Sequence, residues 1–214
     1  MGLSCALEAD KALPGGTQKL GNVSARSRAL DARGSVAAQA PSLSSAPGLA
    51  VYALKPIGVV ERGFPKPGDP SRALYRSRYE FVGVVKVYDE YVDGLLGLDE
   101  YSHVLLLYVF HEESRCLLRV RHKRSGREMG IFATRYTARP NPVGVSVVEL
   151  VKLEAPRLWL RGLDAWAGSP VIDIKPYEYY DVVKRPRVAR EAEEEWAERS
   201  GLYGELIPWL GPCA

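Results

Sequence analysis

The stretch "SHVLLLYVFHE", residues 102 to 112, is apolar at nearly every position and closes on a histidine and a glutamate. Such a run reads as a strand buried on both faces. Its alternation sets His103, Leu105, Leu107, Val109 and His111 on one side and Val104, Leu106, Tyr108 and Phe110 on the other. The two histidines share a face but stand roughly 26 Å apart at strand rise, too far to hold one metal. Without clustered cysteine or carboxylate partners, no metal site is expected. His111, beside Glu112 at the strand's exit, occupies a place where β folds put ligand-facing polar groups; a histidine satisfied by backbone is the plainer reading.

Working outward, the same strand character recurs. "KPIGVVERG" (55 to 63) and "YEFVGVVKVYDEY" (79 to 91) are rich in β-branched and aromatic residues, and "VDGLLGLDEY" (92 to 101) reads as a helical turn punctuated by Gly94 and Gly97. "CLLRVRHKRSGREMGIFATRY" predicts a strand, a basic turn at Ser125 and Gly126, and a second strand running into "FATR". "VGVSVVELVKLEAPRLWLRGLDAW" (143 to 166) predicts a hairpin turning at Glu154 to Pro156, and "SPVIDIKPY" (169 to 177) a strand stopped by Pro176. About seven strands spaced in this way predict a mainly β barrel or sandwich. "VAREAEEEWAER" (188 to 199) predicts a C-terminal helix with Val188, Ala192 and Trp196 on one stripe.

Composition divides the 214 residues into three parts. Residues 1 to 50 contain no Phe, Trp or Tyr and offer little to bury, so they are expected to be a disordered extension, or a segment outside the native product with its start near Val51. An organelle transit segment fits less well because of Glu8, Asp10 and Asp31. Residues 51 to 183 form the expected β domain, and residues 184 to 214 a basic segment with the helix. Beyond residue 50 there is no Gln and a single Asn, Asn141, a balance seen in heat-adapted proteins. The formal charge of +3 excludes a general polycation, so nucleic-acid affinity would come from local clusters. Two such clusters exist, Arg115 to Arg127 and Lys184 to Arg190. Cys5, Cys116 and Cys213 suggest neither a disulfide framework nor a metal site, and fit a reducing cytoplasm. No apolar run approaches a membrane span.

The corner "FATRYTARPNPVG" (132 to 144) holds Arg135, Arg139 and Asn141 around two prolines. Pro140 and Pro142 bias Arg139 and Asn141 toward extended geometry, and Gly144 lets the chain turn. Arginine forks match carboxylates and phosphates. The residues alone leave open an anion or nucleotide pocket and a plain structural turn. Asp173 and Lys175 share a face of their strand, where an ion pair is the simple reading and a proton-accepting Asp173 the functional one. There is no P-loop, no GxGxxG after a strand and no GxSxG elbow.

The blocks "PIGVVERG", "GLDEYSHVLLLYVFHE", "GIFATRYTARPNPVGVSVVEL" and "GLDAWAGSPVIDIKPY", in this order, resemble the TsaA-like TrmO family of tRNA methyltransferases over residues 55 to 181. The resemblance implies a small β-barrel that binds S-adenosylmethionine without a Rossmann domain, works as a homodimer, and methylates N6 of an anticodon-loop adenosine carrying a threonylcarbamoyl group. The cofactor contacts it implies are His111 and Glu112, the latter where a neutral amide is usual. Arg135, Val145, Trp166 and the turn Ala167, Gly168, Ser169 follow, with Arg76 from the loop 70 to 79. Arg139, Asn141 and Lys175 would face the substrate, and Asp173 or Tyr177 would accept the proton. Because Glu112 and Ala167 depart from the family pattern, a non-catalytic RNA-binding barrel and a methyltransferase with another acceptor stay as alternatives.

Overall fold

The computed structural model describes residues 52–123, 125–183, 186–190, 192–194 and 198. The expected N-terminal extension, and much of the expected C-terminal helix with Trp196, lie outside the described residues. Arg190, Ala192, Glu193, Glu194 and Glu198 are helical.

The described strands number eight: β1 (Gly58–Arg62), β2 (Val82–Val87), β3 (His103–Val109), β4 (Arg119–Arg121), β5 (Glu128–Gly130), β6 (Val143–Glu154), β7 (Arg157–Arg161) and β8 (Pro170–Pro176). Six of them close an antiparallel barrel in the order β1-β2-β7-β6-β3-β8, while β4 and β5 form a separate two-stranded sheet. Closure leaves the barrel without an open edge. β6 and β7 form the expected hairpin, with the turn at Ala155 and Pro156.

Side-chain alternation sets the core. Val104, Leu106 and Tyr108 of β3 point inward with at most 2% exposure, and meet Val85, Val148, Leu158, Leu160 and Val171 from the other barrel strands. Full burial of each Leu stabilises the fold by roughly 2 kcal/mol. The outer residues Leu105 and Leu107 are only half-buried, so the strand expected to be covered on both faces is covered on one. They face Val147 and Val145 across the β3–β6 ladder, and their apolar character comes from this outer stripe.

Two further expectations change. The run 79 to 91 is a strand only over β2, because Ser77 caps a 3-10 turn at Arg78–Glu80 before it and another, Asp89–Leu95, follows. The second strand of the basic hairpin stops at Gly130, and "IFA" winds into a 3-10 turn, Ile131–Ala133, instead of extending into "FATR". Ile131 drives this, since it is buried to 1% and its amide donates to the Leu118 carbonyl at 3.0 Å. No helix among the described residues is long and apolar enough to cross a membrane.

Candidate functional site

One mouth of the barrel opens into a cleft of about 1360 Å³. Four chain segments wall it. The end of β3 supplies Tyr108, Phe110, His111, Glu112 and Glu113; the loop before β2 supplies Phe64, Arg72, Arg76 and Arg78. The segment leading into β6 supplies Thr134, Arg135, Arg139 and Val145, and the loop after β7 supplies Asp164, Trp166 and Ser169. Ala192 joins from the C-terminal helix.

The cleft floor is a hydrogen-bonded carboxylate. Asp164 accepts from the Tyr108 hydroxyl at 2.7 Å and from Ser146 Oγ at 2.6 Å, and pairs with the Arg78 guanidinium. Burial, and then the Asp164 charge, push the Tyr108 phenol well above its ordinary range, so it stays a donor. Gly144 lies directly against that ring: a Cβ there would come 2.5 Å from Tyr108 Cζ. Asp164, Ser146 and Arg78 were not singled out from sequence, and Gly144, expected to let the chain turn, lies within β6 in register with Tyr108 instead. The available signal was Tyr108 itself, because an inward-facing hydroxyl in an apolar barrel needs a partner.

The rim carries the histidine and the arginines. His111 Nδ1 lies 3.1 Å from Ser169 Oγ, and its ring packs over Gly168, whose φ of 84° keeps the turn tight and open to the ring. Glu112 pairs with Lys66, whose ammonium also lies 5.3 Å from the Trp166 ring centroid. That Lys66 hydrogen bond holds the Glu112 carboxyl below its ordinary range. Glu113, with a side chain 9% exposed, receives both Arg115 Nε and Nη2 at 2.8 Å and the Thr137 hydroxyl at 2.7 Å. Its pKa is pushed down to about 2, the Arg115 bonds being the largest cause.

The expected residues divide. Arg76, His111, Glu112, Arg135, Arg139, Val145, Trp166 and Ser169 line one cleft, although they come from four separate stretches. Ala167 and Gly168 sit exposed at its edge. Arg135 Nη2 donates to the Val145 carbonyl at 2.8 Å, and Arg139 Nη1 to the Thr134 carbonyl at 2.7 Å. Arg76 is held by Glu80, its Nε 2.6 Å from Oε1.

Asn141 is exposed; the corner is tightened by its backbone carbonyl, which accepts from Val143 N at 2.8 Å, and not by its amide. Asp173, Lys175 and Tyr177 do not line the cleft. β8 runs away from it, so Asp173 pairs in register with Leu107, Lys175 with Leu105, and Tyr177 N donates to the His103 carbonyl at the far end of β3. Lys175 Nζ lies 2.6 Å from Asp173 Oδ2, which is the ion pair of the simple reading. Among the described residues, no three His, Cys, Asp or Glu side chains are arranged to hold a metal ion.

A closed barrel with one mouth ringed by arginines, aromatics and a histidine defines a class of small-molecule and anion site built without a Rossmann sheet. The chain belongs to the tRNA-methyltransferase O N-terminal domain family, whose model matches residues 66–182. It is 44% identical over 125 residues to an S-adenosyl-L-methionine-binding protein of Archaeoglobus fulgidus, a match covering 58% of this chain and 88% of that one. It is 35% identical over 164 residues to the tRNA (adenine(37)-N6)-methyltransferase of Mus musculus, covering 70% of this chain and 37% of that protein. A crystal structure of TrmO from Pseudomonas aeruginosa matches with a TM-score of 0.54 at 32% identity, covering 74% of this chain and 80% of that one.

Proposed function

We propose that this chain is an S-adenosylmethionine-dependent tRNA methyltransferase that acts on N6 of an anticodon-loop adenosine carrying a threonylcarbamoyl group. The observation that carries the reading is the convergence of His111, Arg135, Trp166 and Ser169 on one cleft. Family membership and the names of the relatives support it.

The donor set fits the cofactor. Arg135 spends one N–H on Val145 and offers its remaining donors to a carboxylate such as that of the methionyl group. Trp166 gives a flat apolar surface for an adenine, and Glu112 an anion for a ribose hydroxyl or ammonium. The volume exceeds the roughly 300–1,000 Å³ of ordinary small-molecule sites, which leaves space for an acceptor nucleoside as well.

S-adenosylmethionine supplies an electrophilic methyl on a cationic sulfur. The protein's work is placement: the walls hold the acceptor nitrogen in line with the methyl–sulfur bond, where positioning lowers the barrier most. The N6 proton becomes more acidic as the new bond forms, so a weak base suffices. We assign that part to Asp164, a carboxylate on the cleft floor, in place of Asp173 or Tyr177. A homodimer belongs to the same proposal: Val145, 45% exposed, stands opposite Leu107 on the outer barrel face, where a second copy would cover both.

Isothermal titration of the folded protein with S-adenosylmethionine tests the reading. Saturable binding that weakens in Arg135→Ala supports it, and no heat of binding in folded protein contradicts it.

A further inference from the structure

The β4–β5 hairpin stands outside the barrel and is unusually basic. Residues 114 to 127 contain Arg115, Arg119, Arg121, Lys123, Arg124 and Arg127, in a chain whose formal charge is only +3, and the acids on either side, Glu113 and Glu128, pair with Arg115 and Arg119. The hairpin is not a loose tip. Val120 pairs with Met129, which is 8% exposed, so one face is anchored while Arg119 and Arg121 project from the other. Its base is tied to the cleft wall, with Leu117 N donating to the Ala138 carbonyl and Ile131 N to the Leu118 carbonyl, both at 3.0 Å.

At that base lies Phe132. Burial of Ile131 turns its neighbour outward, and Phe132 is 76% exposed, whereas Phe64 and Phe81 are buried and Phe110 half-buried. The guanidinium of Arg139 lies 5.8 Å from the Phe132 ring centroid, and Arg139 also lines the cleft. An exposed ring backed by an arginine is a platform on which an unpaired base stacks, and a row of cations beside it follows a phosphate backbone.

We propose that the β4–β5 hairpin and Phe132 form the RNA-docking arm of this protein. Arg121, Lys123 and Arg127 contact phosphates, and Phe132 stacks on an unpaired base next to the nucleotide that enters the cleft. The proposal rests on reading the chain as a tRNA-acting methyltransferase and adds which surface the RNA occupies.

The test is fluorescence anisotropy with a tRNA anticodon stem-loop and with an RNA duplex of equal length, across a salt series, using the full chain. The combined variant Arg121→Gln, Lys123→Gln, Arg127→Gln is expected to bind the stem-loop at least about tenfold more weakly, with the slope of log K on log salt reduced by about 2 to 3. Phe132→Ala is expected to lose about tenfold on the stem-loop and little on the duplex, with an unchanged salt slope, while Phe132→Trp retains binding. Calorimetry with S-adenosylmethionine should give the wild-type affinity in every variant, which separates RNA docking from cofactor binding and from misfolding. Stem-loop binding at wild-type strength and slope in the variants overturns the docking arm and leaves the function standing. Wild-type protein that binds the cofactor but no RNA overturns the tRNA reading itself. If Phe132→Ala instead shifts sedimentation from dimer to monomer at unchanged stem-loop affinity, Phe132 serves a protein contact and the proposal falls.

Discussion

Arg135 Nη2 donates to the main-chain carbonyl of Val145 at 2.8 Å, which joins the segment after the Ile131–Ala133 turn to the first residues of β6 across the cleft rim. The bond fixes the direction of the guanidinium while leaving donors toward the cleft. Arg135→Ala should therefore weaken S-adenosylmethionine binding by about tenfold or more, the worth of charge-assisted hydrogen bonds to a carboxylate. Arg135→Lys should recover only part of this, because an ammonium lacks the fork. Titration calorimetry reads the affinities, and thermal melting should show little change, since Arg135 is exposed.

Glu112 and Lys66 form an ion pair whose side chains are 42% and 47% exposed. Such exposed, solvent-screened pairs add little to stability. Glu112→Gln should leave the melting curve nearly unchanged yet weaken binding of the cationic cofactor several-fold, because it removes an anion from the rim. A loss of stability without a change in affinity would make Glu112 a structural residue only.

Gly168 carries a φ of 84° and sits under His111, where a Cβ would lie 3.4 Å from Nε2. Gly168→Ala should cost about 1–2 kcal/mol in denaturant unfolding from the left-handed backbone alone. At that distance the added carbon meets the imidazole in ordinary van der Waals contact, so the loss should appear in stability first, with cofactor affinity falling less.

Glu113 links stability to pH. Its carboxyl ionises at about 2 in the folded protein against an ordinary 4.5, so its contribution is complete above 4.5 and is lost as the pH falls toward 2. Glu113→Gln should be less stable than wild type at neutral pH, and the gap between their melting temperatures should narrow on acidification over that window. A gap independent of pH would mean that Arg115 and Thr137 do not stabilise the ionised carboxylate.

What the sequence revealed depended on how local each cause is. The inward set Val104, Leu106 and Tyr108 follows from strand alternation, and the turn at Ala155 and Pro156 from its own residues. The Ile131–Ala133 turn was hidden because a buried Ile131 and its bond to Leu118 decide it, not propensity. Asp164 bonds to residues 56, 18 and 86 positions away, and no local pattern announces such a network. The block "DIKPY" carries part of the family resemblance, and Asp173 and Lys175 share a face of its strand, but neither feature tells which end of the strand meets the cleft. Each step along β8 carries the chain about 3.4 Å from the cleft, so Tyr177 ends beside His103 instead.

Methyl transfer to a threonylcarbamoyl-adenosine in tRNA is the reaction proposed for the cleft. Nucleoside mass spectrometry of tRNA incubated with the protein and methyl-labelled S-adenosylmethionine tests it most directly. Label is expected in N6-methylated threonylcarbamoyl-adenosine, and is expected to be lost when Asp164 is replaced by Asn in a variant that still folds and binds the cofactor. Label in a different nucleoside, or none from a protein that binds both cofactor and tRNA, would contradict it.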